Sequence, residues 1–246
     1  MEWEAPAIVL GARAYGEGDA IAAVMTEDHG VYFGLARGGA ARGSAALWQT
    51  ANLVQAHWVA RLADQLGTLT AELVHPAAAL VMEDPLGLAI LTASCAVAEG
   101  ALPEREPHPR VFAALLRLIA HLSQKQAAIA ELIRWETLLL ADLGYGLDLS
   151  VCAVTGAMTD LAWVSPKTGR AVTDAAAGLW RSRLLRLPPF LRDGGLGAPS
   201  EWQDGLRLTG YFLERDAFGH LHKPLPLARR MLYDHVAKLV SDRREA

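Results

Sequence analysis

Cysteine is nearly absent from this 246-residue chain, which has only Cys95 and Cys152. Two scattered thiols exclude a disulfide scaffold and fit a reducing cytoplasm. Cys95 falls in an apolar run and reads as a buried, reduced thiol. Long apolar runs are also missing. The longest, 86–98, is too short and too polar-flanked to span a bilayer, so no membrane role is expected. The N-terminus carries Glu2 and Glu4 and no basic stretch, so no signal peptide is expected. Positive charge is not in excess: the formal net charge is -4. That excludes a surface that is basic throughout and leaves nucleic-acid binding to local patches. Catalytic signatures are lacking as well. There is no P-loop, no G-x-G-x-x-G leading into a helix, no G-x-S-x-G and no H-E-x-x-H.

The polar residues that remain offer no active site. His220 and His222 form an H-x-H pair with no third ligand nearby, so they read as surface histidines. Cys152 has no local base to activate it and reads as a structural thiol. Glu131 and Glu136 read as solvated or partly paired helix charges. An enzyme stays an open reading at this point, though no residue is placed to serve as a catalytic group, and no cofactor is expected.

About half of the residues are apolar and a fifth are charged, ordinary for a globular chain. Five β-like runs fill the first third: 7–15, 21–26, 31–36, 51–62 and 68–74. Between the second and third, Glu27-Asp28-His29-Gly30 suits a hairpin turn, with Gly30 at positive φ. A long Gly- and Arg-containing loop, "RGGAARGSAALWQT" (37–50), joins the third to the fourth. Five antiparallel strands with one long connection after the third suit an OB-type barrel, and an SH3-like barrel fits the same pattern.

After Pro76 the pattern turns helical. Pro85 suits a helix N-terminus, and helical spacing recurs over 111–122, 128–144 and 227–240. Gly144 and Gly146 are natural stops. Helices are expected to resume over 173–185, "LPPFL" (187–191) breaks them, and Ser200 with Gln203 forms a capping box. Residues 148–172 look like a zinc ribbon that lacks its ligands: two turns flank the short β-like segment 161–164, yet only Cys152 is present. The fold class is therefore α+β. The expected division is a barrel over 1–78 and a helical domain over 79–246, with the ribbon-like insert 148–172 inside the latter.

Charge is unevenly spread. Residues 1–80 hold four arginines (13, 37, 42 and 61) against eight acidic residues. Residues 165–192 hold Lys167, Arg170, Arg181, Arg183, Arg186 and Arg192 against Asp174 alone. Such a stretch can track a phosphate backbone or be an ordinary solvated face. Tyr15, Tyr32, Phe33, Trp48 and Trp58 lie in or beside the strands, where a few could stack on single-stranded bases and the rest form core.

Several segments together resemble the RecO family of bacterial recombination mediators. They are "VLGARAYGEGDAIAAVMTEDHG" (9–30), the loop 37–50, "RWETLLLADLGYGLDLSVCAVTG" (134–156) and "HLHKPLPLARRML" (220–232), so the resemblance covers nearly the whole chain. It implies an N-terminal OB fold, a helical C-terminal domain and no catalytic turnover. It implies single-stranded DNA binding, strand annealing, engagement of the acidic, apolar C-terminal tail of single-strand-binding protein, and action with RecR in loading RecA. A cytoplasmic, nucleoid-associated location goes with that role. Some family members carry a four-cysteine zinc ribbon. Here the next cysteine position is Thr155, and the second turn has 167–171, so no metal is expected. The loop 37–44 is also poorer in basic residues than is usual for the family.

For DNA the candidate residues are Arg13, Arg37, Arg42, Lys167 and Arg170. For the partner tail they are Arg117, Arg134, Leu115 and Leu118, a basic group beside an apolar groove. The plainer reading of Arg134 is an i,i+3 pair with Glu131. The alternative function is a protein-interaction hub with little direct DNA binding.

Overall fold

The computed structural model describes residues 1–62, 65–123 and 129–245, and the side chains at 123 and 243–245 lie outside that description. The chain divides into two compact units, Met1–Gln126 and Ala127–Ala246.

The first unit begins with β1 (Glu2–Tyr15), β2 (Asp19–Thr26), β3 (Gly30–Ala36), β4 (Leu53–Val59) and β5 (Thr68–His75). They close into a barrel in the order β1-β2-β3-β5-β4. The long first strand makes closure possible. Its N-terminal part pairs with β4 and its C-terminal part with β2, and an irregularity between Val9 and Gly11 bends it from one partner to the other. Four of the pairings are antiparallel, and the last, β3 with β5, is parallel at Leu35 and Thr68. This strand order is that of the OB fold.

Small residues line the barrel. Ala7, Ala20, Ala22, Ala36 and Ala56 leave a narrow interior that the Trp58 indole fills. Its buried N–H donates to Phe33 O at 3.1 Å and Leu66 O at 3.0 Å, so the large ring carries no unpaired donor inside. Gly34 permits the closure, because a Cβ there would stand 2.6 Å from Leu69 Cβ. Gly30 adopts φ +73° as the turn requires, and a Cβ on it would strike Glu106 O.

After α1 (Ala77–Leu80), α2 (Pro85–Ala101) and α3 (Pro109–Ser123) remain with the barrel. Asp84 caps α2 by accepting from Leu86 N, with Pro85 in the first turn. α2 packs on β1 and α3 on β2. Compactness thus divides the chain at 126/127, whereas the change of sequence pattern falls at 78/79.

The second unit contains α4 (Ile129–Asp142), β6 (Leu161–Val164), β7 (Ala171–Thr173), α5 (Asp174–Ala177), a 3₁₀ segment (Gly178–Arg183), β8 (Leu185–Arg186), α6 (Phe190–Asp193), α7 (Pro199–Phe212) and α8 (Leu227–Glu245). The expected helix start at Ala128 lies outside the described residues. α4 and α8 both pack against α7. The expected helical run 173–185 is formed from Asp174 to Arg183, though as α5 followed by the 3₁₀ segment and not as one continuous α-helix. Gly178, at φ +44°, ends the four-residue α5, and β8 joins the ribbon sheet, whose order is β7-β6-β8. The α7 cap is also displaced from Ser200: Pro199 opens the helix, and Glu201 reaches back to accept from Ala198 N at 2.7 Å.

Glu136 differs most from expectation, because it is fully buried and not solvated. The Arg229 guanidinium, also buried, grips it with Nη2 2.9 Å from Oε2 and a second contact through Nε. Thr209 donates to the same carboxylate at 2.5 Å, and Arg229 donates to Leu206 O at 2.8 Å. This network ties α4, α7 and α8 together. Removing either charged partner would leave the other without compensation in a dry interior.

Candidate nucleic-acid interface

The connection from β3 to β4 is an ordered chain of turns. Asp19 Oδ1, at the start of β2, accepts from Gly38 N at 2.7 Å. Ala40 N donates to Gly18 O at 3.0 Å. At the far end Asn52 donates to Ala46 O at 2.9 Å and Leu47 O at 3.2 Å, and buried Trp48 anchors the loop in the barrel core. These bonds fasten Arg37 and Arg42 to the β1–β2 turn. The strand leading into that turn carries Arg13 and Tyr15 on its outward face, and all four side chains are exposed. None of the three arginines forms an ion pair among the described residues. Asp19 and Asn52 are hard to single out in the sequence. Their signal was slight: a short polar residue on each side of a Gly- and Ala-rich loop.

Of the candidate aromatics, Tyr15 alone is mostly open, at 56 % exposure. Trp48 and Trp58 are core. Tyr32 lies under the Arg105 guanidinium, which stands 5.4 Å from its ring and 5.8 Å from that of Trp58. Another surface of the barrel is acidic. Glu2, Glu4 and Glu72 are exposed on β1 and β5, with Glu2 against His57 and Glu4 against Gln55.

In the second unit the ribbon keeps both of its turns. Gly156 N donates to Cys152 O, and Gly169 N donates to Ser165 O, each at 2.9 Å. Lys167 and Arg170 are exposed on the second turn. Arg170 is engaged by Asp148 at 3.3 Å. Hydrogen bonds from Ser150, first from its side chain and then from its backbone, hold the Asp148 carboxyl below the usual carboxylate range.

The donor set does not fit a metal. Cys152 is the ribbon's one thiol, and its Sγ instead accepts from Thr173 N at 3.4 Å and lies 3.7 Å from Thr173 Oγ1. Among the described residues no three His, Cys, Asp or Glu side chains gather to hold a metal ion. The insert rests on Leu161, Trp163 and Val164, all buried. The two cysteines have opposite chemistry. Burial pushes the Cys95 thiol up to about 12. Burial also pushes Cys152 up, but hydrogen bonds from the Thr155 side chain and from the backbone of Thr173, Thr155 and Val154 outweigh it and bring it down to about 6.

The tail candidates fall in different units. In the first, Leu115 and Leu118 are buried core and Arg117 is exposed on α3. In the second, Arg134 pairs with Glu131 at 2.5 Å. Its Nη2 donates to Phe190 O at 3.2 Å and to Gly195 O, and the guanidinium lies 5.4 Å from the Phe190 ring centre. Three of its five N–H donors are thus engaged within the unit. His220 stacks on Tyr145 at 5.5 Å. Among the described residues no helix is long and apolar enough to cross a membrane.

Comparison with known proteins covers nearly the whole chain. A family model described as Recombination protein O N terminal matches residues 1–77, and one described as Recombination protein O C terminal matches 82–224. The chain is 59 % identical over 245 residues to the DNA repair protein RecO of Gluconacetobacter diazotrophicus, covering 97 % of this chain and 96 % of that one. It is 58 % identical over 248 residues to the protein of the same name from Granulibacter bethesdensis, covering 100 % and 99 %. With that of Acidiphilium cryptum the identity is 55 % over 242 residues, covering 97 % and 96 %.

Proposed function

This chain belongs to the RecO family of DNA repair proteins, and from that premise we propose that it is a recombination mediator that works by binding, without catalytic turnover. It binds single-stranded DNA and anneals complementary strands. It engages the C-terminal tail of single-strand-binding protein and acts with RecR to promote RecA loading, in the cytoplasm beside the nucleoid. One observation carries the DNA reading. The loop fastened by Asp19 and Asn52 holds Arg37 and Arg42, free of ion pairs among the described residues, beside the turn that follows Tyr15 at the end of β1. Cations fixed in place can follow a phosphate backbone, and an exposed ring next to them gives a base a face to stack on. In the second unit Lys167, and Arg170 by exchange from Asp148, extend the set of phosphate contacts. For the tail, Arg134 retains two N–H donors for a carboxylate, and Arg117 is a further exposed cation on the first unit.

A second reading, the protein-interaction hub, is favoured by the acidic face of Glu2, Glu4 and Glu72, which repels a polyanion. Titration of a labelled single-stranded oligonucleotide over a range of salt separates the two. Mediator binding weakens as salt rises, with a clearly negative log–log slope, and a slope near zero would leave the hub.

A further inference from the structure

The 3₁₀ segment Gly178–Arg183 has no buried residue of its own, yet it carries two large apolar side chains. Leu179 is 99 % exposed and Trp180 62 %. A fold that leaves an indole and an isobutyl group in water at one point presents a surface that gains by being covered. The cations around it narrow the identity of what covers it. The Arg183 guanidinium stands 5.3 Å from the Trp180 ring centre. On β8, Arg186 lies 4.3 Å from the Trp163 ring centre. Between the segment and α7 is a cavity of about 530 Å³, walled by Trp163, Leu179, Arg186 and Arg207, with Arg181 and Asp204 among its other residues. Arg181 is engaged by Asp174 at 2.7 Å. Arg183, Arg186 and Arg207 form no ion pair among the described residues. A second groove is lined by Arg183, Arg207, Arg229 and Arg230 against Glu214 and Asp234, so cations are in excess there too, although Arg229 is taken by Glu136.

We propose that Trp180, with Arg183, Arg186 and Arg207, is a second contact for single-stranded nucleic acid, in which a base stacks on the exposed indole and the arginines hold the flanking phosphates. The inference rests on the DNA-binding reading above and adds to it a site in the second unit. The chemistry is selective for unpaired strands. A flat ring beside guanidinium groups suits an unstacked base and its phosphates, whereas a duplex keeps its base faces covered. A membrane surface is the competing partner, because an apolar tip among arginines can also enter an anionic lipid headgroup layer. Two side chains on one turn give far less apolar area than a membrane-lying helix, whereas they match a single base.

The test uses the full chain, a labelled oligothymidylate, and vesicles containing phosphatidylglycerol. Trp180→Ala should weaken oligonucleotide binding roughly 5- to 150-fold, the range carried by base–aromatic stacking, while Trp180→Phe restores most of it. Arg186→Gln should lower the magnitude of the salt slope by about one. Because these side chains are exposed, circular dichroism of the variants should match the wild type. Wild-type affinity in Trp180→Ala overturns the proposal and leaves the barrel loop as the DNA site. Trp180-dependent vesicle binding with unchanged oligonucleotide affinity overturns it in favour of a membrane. Failure of the wild-type chain to bind the oligonucleotide overturns both this inference and the reading beneath it.

Discussion

In the first unit Arg13, Arg37 and Arg42 stand in solvent with no ion pair among the described residues. In the second, Arg134, Arg170, Arg181, Arg215 and Arg229 each hold a carboxylate. Counting charges along the sequence does not tell the paired cations from the free ones. The barrel segment is acidic on balance, and 165–192 is the basic stretch. Within that stretch Asp148 and Asp174 engage Arg170 and Arg181, and Arg192 donates to Met158 O at 2.9 Å, whereas Lys167, Arg183 and Arg186 form no ion pair among the described residues. Whether a cation is free for a partner depends on pairing, and pairing is a property of the fold.

The strongest test of this contrast is Arg229→Met. It leaves the Glu136 carboxylate buried without its counter-charge and should cost about 3–5 kcal/mol of stability, measured by urea unfolding. Glu136→Leu combined with Arg229→Met should recover most of that loss, because an apolar pair of similar volume replaces a desolvated ion pair. A loss under about 1 kcal/mol in the single variant would show that water reaches the network.

Next is Arg134, which is engaged yet retains free donors. Arg134→Ala should weaken binding of a fluorescent tail peptide by roughly 1.5 to 3 kcal/mol, the range for a hydrogen bond to a charged group, with oligonucleotide binding nearly unchanged. Wild-type affinity for the peptide would return Arg134 to a purely structural role, holding α4 to Phe190 and Gly195.

The free arginines should behave in the opposite way. Changing Arg37 and Arg42 together to Ala should reduce the magnitude of the salt slope of DNA binding by roughly one to two and weaken all sequences alike. Stability should move by less than about 0.5 kcal/mol. An unchanged slope would transfer the phosphate contacts to the second unit.

The barrel was legible because its signals are local. The short apolar runs 21–26 and 31–36 become β2 and β3, and Gly30 takes the positive φ that its turn demands. What stayed hidden is long-range. The parallel closure of β3 on β5 joins Leu35 to Thr68 across the barrel, and no local pattern announces it. Glu136 and Arg229 are 93 positions apart, and at helical spacing a buried glutamate looks like a surface one. β8 was missed because two residues, Leu185 and Arg186, are too few to show a period of two. Of the candidate site residues, the loop arginines could be proposed from composition and resemblance. The exposure of Trp180 could not, since an indole between Gly178 and Arg181 is as often core as surface.

The smallest effect on function belongs to the ribbon's thiol, and it places the two units side by side once more. Cys95 in the first unit is pushed up to about 12 by burial. Cys152 is also closed to solvent, but the Thr155 hydroxyl and three backbone groups direct hydrogen bonds at it and bring it to about 6 from an ordinary 9.0. A group whose folded value is depressed stabilises the fold fully above its unfolded value, and that contribution is lost as pH falls through the folded one. The stability margin of the wild type over Cys152→Ala should therefore shrink as pH is lowered from about 9 to about 6, with a slope of at most about 1.4 kcal/mol per pH unit. Thiolate absorbance, taken as the difference between wild type and Cys152→Ala, should rise with a midpoint near 6. DNA binding should be the same in both proteins at either pH, because the thiol reaches no surface. A midpoint at 9 or above, or parallel stability curves, would mean that burial governs Cys152 as it governs Cys95, and that the first ribbon turn is held by packing alone.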